Sequence, residues 1–111
     1  MDFARSIVNL LEEKKAENIL LLDIHEIAGF TDYFVICSGG SSRTLTSLAN
    51  SALEKAKFEF GISGKVEGIS TAGWLLIDFG DVIVHLFSPE QRDYYRIENL
   101  WERGKILLRV Q

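Results

Sequence analysis

Little cysteine, little proline and no long apolar run characterise this sequence, and each shortage excludes a class of protein. Cys37 is the one cysteine among 111 residues, so an internal disulfide framework cannot form. With one proline, Pro89, the chain has no proline-rich linker. No apolar run approaches the roughly 20 residues of a membrane-spanning helix, and the first residues do not resemble a secretory signal. We therefore expect a cytoplasmic chain that does not enter a membrane.

A basic excess is missing as well. The chain carries 12 Lys and Arg against 16 Asp and Glu, which gives a formal net charge of −4. A domain that holds nucleic acid through its phosphates usually has a clustered basic surface. The charge balance therefore predicts little or no direct RNA readout. It favours a basic protein surface as the partner, because complementary potentials speed encounter.

The residues that are present have the composition of one folded domain, residues 1–111, with 47% hydrophobic and 25% charged residues. Apolar spacing and turn residues predict an α/β domain in which helices pack on a mixed five-stranded sheet. The predicted elements are a helix after Asp2, strands Ile19–Ile24 and Tyr33–Cys37, a helix that is capped within Ser38–Ser42, carries Leu45 to Phe60 on its apolar face and stops at Gly61, a strand Lys65–Glu67, two hairpin strands in Gly73–Phe87, a helix from Pro89 towards Tyr95, and a last helical turn or two through Ile97, Leu100 and Trp101.

The hairpin Gly73–Phe87 is apolar at nearly every position, although a half-buried antiparallel strand would alternate apolar and polar residues. Both of its faces therefore need cover, from the protein's own helices or from a partner. With Asp78–Asp81 as the loop, we expect Ile77 to pair with Val82. Alternation then divides the side chains between two faces. The predicted sets are Leu75, Ile77, Val82, Val84 and Leu86, facing the helices, and Trp74, Leu76, Ile83, His85 and Phe87 on the other face.

The second set resembles the centre of a protein interface, where aromatic residues are enriched. We therefore predict Trp74, Leu76 and Phe87 as partner-binding residues, although a fully internal Trp74 is the competing interpretation. Two further candidates follow Pro89. Tyr94 and Tyr95 cannot both face a helix-packed core, so Tyr95 or Tyr94 extends the surface, with Arg92 at its rim. Asp78, a good turn residue, is also assigned to this surface.

The order of these segments resembles the Iojap family, the ribosomal silencing factors called RsfS in bacteria. The resemblance runs from about Ile19 to Trp101 and includes the blocks Thr31–Arg43, Gly73–Phe87 and Arg92–Trp101. It implies a nucleotidyltransferase-like topology without enzymatic activity. It also implies binding to the large ribosomal subunit through ribosomal protein fourteen, which sterically blocks subunit joining and represses translation. A homodimer of the free protein, formed through the same aromatic face, is an alternative adaptor function.

A nucleotidyltransferase-like enzyme is the other alternative, because the turn Ser38–Ser41 before a helix could surround a phosphate with backbone N–H groups. Such enzymes resemble one another in needing two acids one residue apart on the next strand, aimed at a metal pair. Asp78 and Asp81 are instead three apart and flank a turn. Cys37 and His85 lie in apolar strands, where inert core residues are usual. We predict no catalytic residue, no metal site and no cofactor.

Overall fold

Two long helices pack on one face of a mixed sheet in the computed structural model, which describes residues 2–96 and 104–110. The elements in chain order are α1 (Asp2–Glu13), β1 (Glu17–Asp23), β2 (Tyr33–Ser38), α2 (Ser42–Phe60), β3 (Lys65–Ile69), a 3-10 turn (Ser70–Ala72), β4 (Trp74–Asp78), β5 (Val82–Phe87), α3 (Pro89–Tyr95) and β6 (Lys105–Val110). The strands lie in the order β3-β4-β5-β2-β1-β6. Strands β2 and β5 run parallel, and the other neighbouring pairs of these strands are antiparallel. The predicted α/β class is confirmed.

Local sequence sets the ends of the helices. Ser41 caps α2, because its side chain accepts a hydrogen bond of 3.1 Å from the Thr44 N–H. The same helix ends at Gly61, which adopts the left-handed conformation that glycine tolerates best. Ser88 caps α3 ahead of Pro89, the residue type favoured in a first helical turn. The serine- and glycine-rich segment before α2 is therefore a capped connection between a strand and a helix.

The first face of the sheet forms the larger core. Helices α1 and α2 lay their apolar sides on it, and neither helix contributes to the cluster on the opposite face. The aliphatic set predicted from the hairpin faces these helices, as expected. Its members are all at most 9% exposed: Leu75, Ile77, Val82, Val84 and Leu86.

A smaller apolar cluster occupies the opposite face of the sheet, which we call the second face. It combines side chains from β1, β2 and β5 with two residues of the loop after β1. Trp74 and Leu76 of β4 are only partly buried and pack at its margin. The buried members are Leu20, Leu22, Ile24, Ala28, Phe34, Ile36, Ile83 and Phe87.

The hairpin register differs from the expected one, although the division into faces is confirmed. Ile77 lies opposite Val84, not Val82, so the prediction was wrong by two residues. The physical reason is a tighter turn: the Phe79 N–H donates to the Val82 carbonyl oxygen at 2.9 Å, and Gly80 supplies a φ of +93°. A shift of two residues keeps every side chain on its predicted face, because the side-chain period of a strand is two.

The prediction of five strands was also wrong, since Lys105–Val110 forms a sixth strand beside β1. Its consecutive apolar residues lack the alternation that reveals a strand in sequence. The β1–β6 ladder also shifts register between Leu21 and Leu22, so its pairing is irregular. The helical turns expected at Ile97, Leu100 and Trp101 lie outside the described residues.

Candidate functional site

The β3 edge of the sheet carries accessible apolar area. In the antiparallel β3–β4 ladder, Ile69 lies opposite Trp74, and Glu67 lies opposite Leu76. Directly opposite residues share a face of the sheet, so these four side chains form one patch on the second face. Ile69 is 63% exposed, Glu67 is exposed, and Trp74 and Leu76 are half-buried. We call the patch formed by Glu67, Ile69, Trp74 and Leu76 the Trp74 surface.

Gly68 allows the Trp74 indole to lie close to the backbone of β3. A Cβ atom at Gly68 would lie 2.6 Å from the Trp74 carbonyl oxygen and 2.7 Å from the ring atom Cε3. The residue also has a φ of +100°, which side chains other than glycine rarely adopt. The absence of a side chain at residue 68 thus permits this position of the indole, which a larger residue would block.

A row of aromatic rings crosses the second face next to the Trp74 surface. Successive ring centroids are separated by 4.6 to 6.3 Å, the range of favourable aromatic pairs. The two ends of the row are exposed, and its middle is buried. In order, the row comprises Phe30, Phe34, His85, Phe87, Tyr95 and Tyr94.

Phe87 and Tyr95, two of the predicted partner-binding residues, occupy different depths in this row. Phe87 lies opposite Trp74 in the β4–β5 ladder but is only 2% exposed. Tyr95, at the end of α3, is 54% exposed, and its ring centroid lies 6.0 Å from that of Phe87. The structure therefore brings Trp74, Leu76 and Tyr95 to one accessible region and places Phe87 beneath it.

Asp78 lies at the turn end of β4, on the same face as Trp74. Its carboxylate oxygen Oδ1 accepts a hydrogen bond of 2.8 Å from the Gly80 N–H. Asp78 lies four positions along the strand from Trp74, a distance of about 13 Å. The carboxylate is exposed and therefore extends the second face away from the indole while it stabilises the turn.

Arg92 connects α3 to the ends of two strands. Its guanidinium atom Nη1 donates to the carbonyl oxygen of Asn18 in β1 and, at 3.3 Å, to Oγ of Ser38 in β2. Ser38 pairs with Phe87 in the parallel ladder, so this contact lies beside the aromatic row. Arg92 thus anchors the helix that carries Tyr95.

His85 is the buried polar member of the aromatic row. The side chain is 5% exposed, and neither ring nitrogen has a hydrogen-bond partner among the described residues. The Phe34 ring meets it edge to face at 4.6 Å, and the Phe87 ring lies nearly parallel at 6.1 Å. Burial in these apolar surroundings lowers the pKa of His85 from 6.5 to about 4. The imidazole is therefore neutral at physiological pH.

This lowered pKa predicts a loss of stability in mild acid. The unfolded chain, with a histidine pKa near 6.5, binds a proton more readily than the folded chain. The contribution of His85 to the free energy of unfolding is therefore fully present above about pH 6.5. It decreases as the pH drops towards 4, by about 3 kcal/mol at most. Urea unfolding across this pH range measures the effect.

Two variants isolate the contribution of His85 to this acid dependence. His85→Phe should remove most of the slope between pH 6.5 and 4. His25 provides the control, because its hydrogen bond to Asp23 raises the pKa of this exposed imidazole and so favours folding at low pH. His25→Gln should therefore retain the acid loss. An unchanged slope in His85→Phe would contradict the assignment.

The remaining candidate chemical groups do not assemble into a reactive site. Cys37 belongs to the core of the first face, whereas His85 projects on the second face, so the two cannot form a nucleophile and base. Burial raises the pKa of the Cys37 thiol to about 12, which keeps it protonated. Within residues 2–96 and 104–110, no three His, Cys, Asp or Glu side chains are grouped to hold a metal ion. The helices of that part include none with the length and hydrophobicity that a membrane crossing requires.

Ile69 and Glu67 were not predicted as site residues. The sequence placed a strand at Lys65–Glu67 but did not define its pairing with β4. The spacing of Lys65, Glu67 and Ile69 at every second residue could have identified them, because side chains two apart on a strand share a face. When β3 pairs with β4, these three side chains lie beside the side chains of β4 on the second face. Ile69, at the end of this strand, contributes the most exposed apolar side chain of the Trp74 surface.

Comparisons with known proteins agree with this architecture. A family profile described as ribosomal silencing factor during starvation, RsfS, matches residues 1–109. The ribosomal silencing factor RsfS of Bacillus subtilis is 43% identical over 91 residues, which cover 81% of this chain and 76% of that protein. A crystal structure of a Chromobacterium violaceum protein superimposes with a TM-score of 0.85 at 35% identity, covering 91% of this chain and 84% of that one.

A more distant relative is the mouse protein named mitochondrial assembly of ribosomal large subunit protein 1. It is 36% identical over 98 residues, which cover 86% of this chain and 43% of the mouse protein. The profile match spans nearly the whole sequence, and the B. subtilis relative matches across most of both chains. The chain therefore belongs to the RsfS family of ribosomal silencing factors.

Proposed function

We propose that this protein represses translation in the cytoplasm by binding the large ribosomal subunit, through ribosomal protein fourteen on the subunit-joining face. A protein bound there excludes the small subunit by its bulk, so the mechanism requires affinity and volume but no catalytic step. The observation that carries the proposal is the half-exposed Trp74 beside exposed Ile69, in a chain that belongs to a family of ribosomal silencing factors. The name of the mouse relative, which refers to the large ribosomal subunit, supports the choice of subunit.

The composition of the Trp74 surface suits a protein partner. Trp74, Leu76 and Ile69 supply apolar area of the kind that dominates the centre of an interface. Glu67 is exposed beside them, and Asp78 is exposed farther along the same face. Lys65 lies opposite Asp78 and is also exposed, so strands β3 and β4 place two carboxylates and one ammonium group on this face. With a net charge of −4 for the chain, this balance complements a basic ribosomal protein better than it complements RNA phosphates.

Density-gradient sedimentation tests the proposal. The protein is added to a mixture of purified ribosomal subunits under conditions that allow joining. We expect it to comigrate with the large subunit and to reduce the amount of joined ribosomes in proportion to its concentration. Comigration to the same extent with small subunits, or with joined ribosomes, would exclude steric silencing as the mechanism.

Two further measurements address the alternatives. A nucleotide titration with Mg²⁺ tests the nucleotidyltransferase-like enzyme. That function would require the wild type to bind and turn over the nucleotide, and both activities to be lost in Asp78→Ala and Asp81→Ala. Sedimentation of the isolated protein tests the homodimer, since the exposed Ile69 and half-exposed Trp74 would equally suit a second copy of the chain. Self-association that Trp74→Ala abolishes would place the homodimer on the Trp74 surface.

A further inference from the structure

His85 is a buried polar residue whose presence the folded chain alone does not explain. Both ring nitrogens lack a partner within residues 2–96 and 104–110, and the surroundings are apolar. A buried polar atom without a hydrogen bond destabilises a fold, so such atoms are few in native proteins. Phenylalanine would fill a similar volume between Phe34 and Phe87 without this cost. Natural proteins depart from the rule that buried polar atoms form hydrogen bonds mainly at functional sites.

The position of His85 connects it to the Trp74 surface. Leu76 lies directly opposite His85, and Glu67 lies opposite Leu76, so the three form one row across the sheet. Exposure falls along this row from exposed Glu67 through half-buried Leu76 to His85 at 5%. The imidazole is therefore the first fully buried side chain behind the accessible edge.

The ladder geometry brings Leu76 and His85 close together. The hydrogen bond from Phe79 to Val82 identifies the alternate pairs of this hairpin that share hydrogen bonds, and the Leu76–His85 pair falls between them. In such non-hydrogen-bonded pairs the side chains approach most closely. A change of rotamer at the half-exposed Leu76 would thus open a path to the imidazole.

We propose that His85 is a recognition residue of the Trp74 surface, and that an N–H group of the bound large-subunit partner enters beside Leu76 and donates a hydrogen bond to the unprotonated imidazole nitrogen. A neutral imidazole offers one acceptor nitrogen and one donor. A backbone or side-chain amide N–H of the ribosomal protein supplies such a donor without bringing a full charge into the apolar surroundings. This inference rests on the proposed function, because it names a contact within the same interface.

The test compares stability and binding in the same variants. His85→Phe removes both ring nitrogens while it preserves ring volume. We expect its melting temperature to equal or exceed that of the wild type, and its affinity for purified large subunits to fall about tenfold. His85→Gln keeps a donor and an acceptor and should recover part of that affinity. Leu22→Val, a buried change on the second face in β1, is the control and should lower the melting temperature with affinity unchanged.

The possible outcomes distinguish this inference from the proposed function. Failure of the wild type to bind large subunits would overturn both. Binding by the wild type with equal affinity in His85→Phe would overturn the inference alone. If Leu22→Val lost as much affinity as His85→Phe, the effect would be one of stability, and the inference would again be wrong. Loss of affinity in His85→Phe with Leu22→Val unaffected supports it.

Discussion

Replacing Trp74 with alanine is expected to weaken binding to the large ribosomal subunit by about 30- to 1000-fold, equivalent to about 2–4 kcal/mol. Aromatic side chains at the centre of an interface contribute energies of this size because they displace water over a large area. The indole is only partly buried in the free protein. We therefore expect its removal to lower the free energy of unfolding by less than about 2 kcal/mol.

Leu75 provides the matched control, because it follows Trp74 on β4 and its side chain lies on the first face of the sheet, opposite to that of Trp74. It is 7% exposed in the core beneath the helices, so Leu75→Ala should cost about 2–5 kcal/mol of stability. The protein that remains folded should bind the subunit normally. Thermal unfolding and subunit binding, measured on both variants, separate the two roles. A large drop in melting temperature for Trp74→Ala, with binding retained, would assign Trp74 to the core.

Phe87→Ala is expected to have the opposite effect, with a loss of about 3–5 kcal/mol in the free energy of unfolding. Phe87 is 2% exposed and supports the rings of His85 and Tyr95, so truncation leaves a cavity in the aromatic row. Urea unfolding measures the loss. The control is Phe58→Ala, a change at a phenylalanine that is 79% exposed on α2, which should alter stability by about 0.5 kcal/mol or less.

The same pair of variants tests whether Phe87 contacts the partner directly. If Phe87 only supports the surface, binding should decrease in parallel with the folded fraction and recover when a stabilising osmolyte refolds the variant. Normal stability with binding lost would mean instead that the partner reaches the Phe87 ring. That result would extend the interface from the sheet edge into the aromatic row.

Sequence could predict the features that depend on neighbouring residues. Ser41 and Gly61 specify the ends of α2 because capping is decided within one helical turn. Side-chain alternation alone predicts the two faces of the hairpin. The error of two residues in the register leaves these faces unchanged, because the side-chain period of a strand is two. The same alternation predicts that Trp74 and Leu76 share the second face, as the structure shows.

The remaining features depend on contacts between residues that are distant in sequence. The depth of Phe87 depends on residues of β2 and α3 around it, and composition cannot reveal how closely they pack. Ile69 became a site residue through its pairing with Trp74, which requires the strand order. The strand β6 was not predicted because the three consecutive apolar residues 106–108 hide the alternation of a strand, and because its irregular pairing with β1 is not visible in the sequence.

The parallel pairing of β2 with β5 has a consequence for synthesis of the chain. Strand β2 can pair with β1 once both have left the ribosome, because the two strands are neighbours in sequence and in the sheet. Its other neighbour, β5, is separated from it in sequence by α2, β3 and β4. Until β5 emerges, β2 presents an unpaired, apolar edge of the kind that templates aggregation. The sheet therefore cannot be completed during synthesis until β5 has emerged. Premature termination of synthesis before Val82 should yield fragments that aggregate or are degraded.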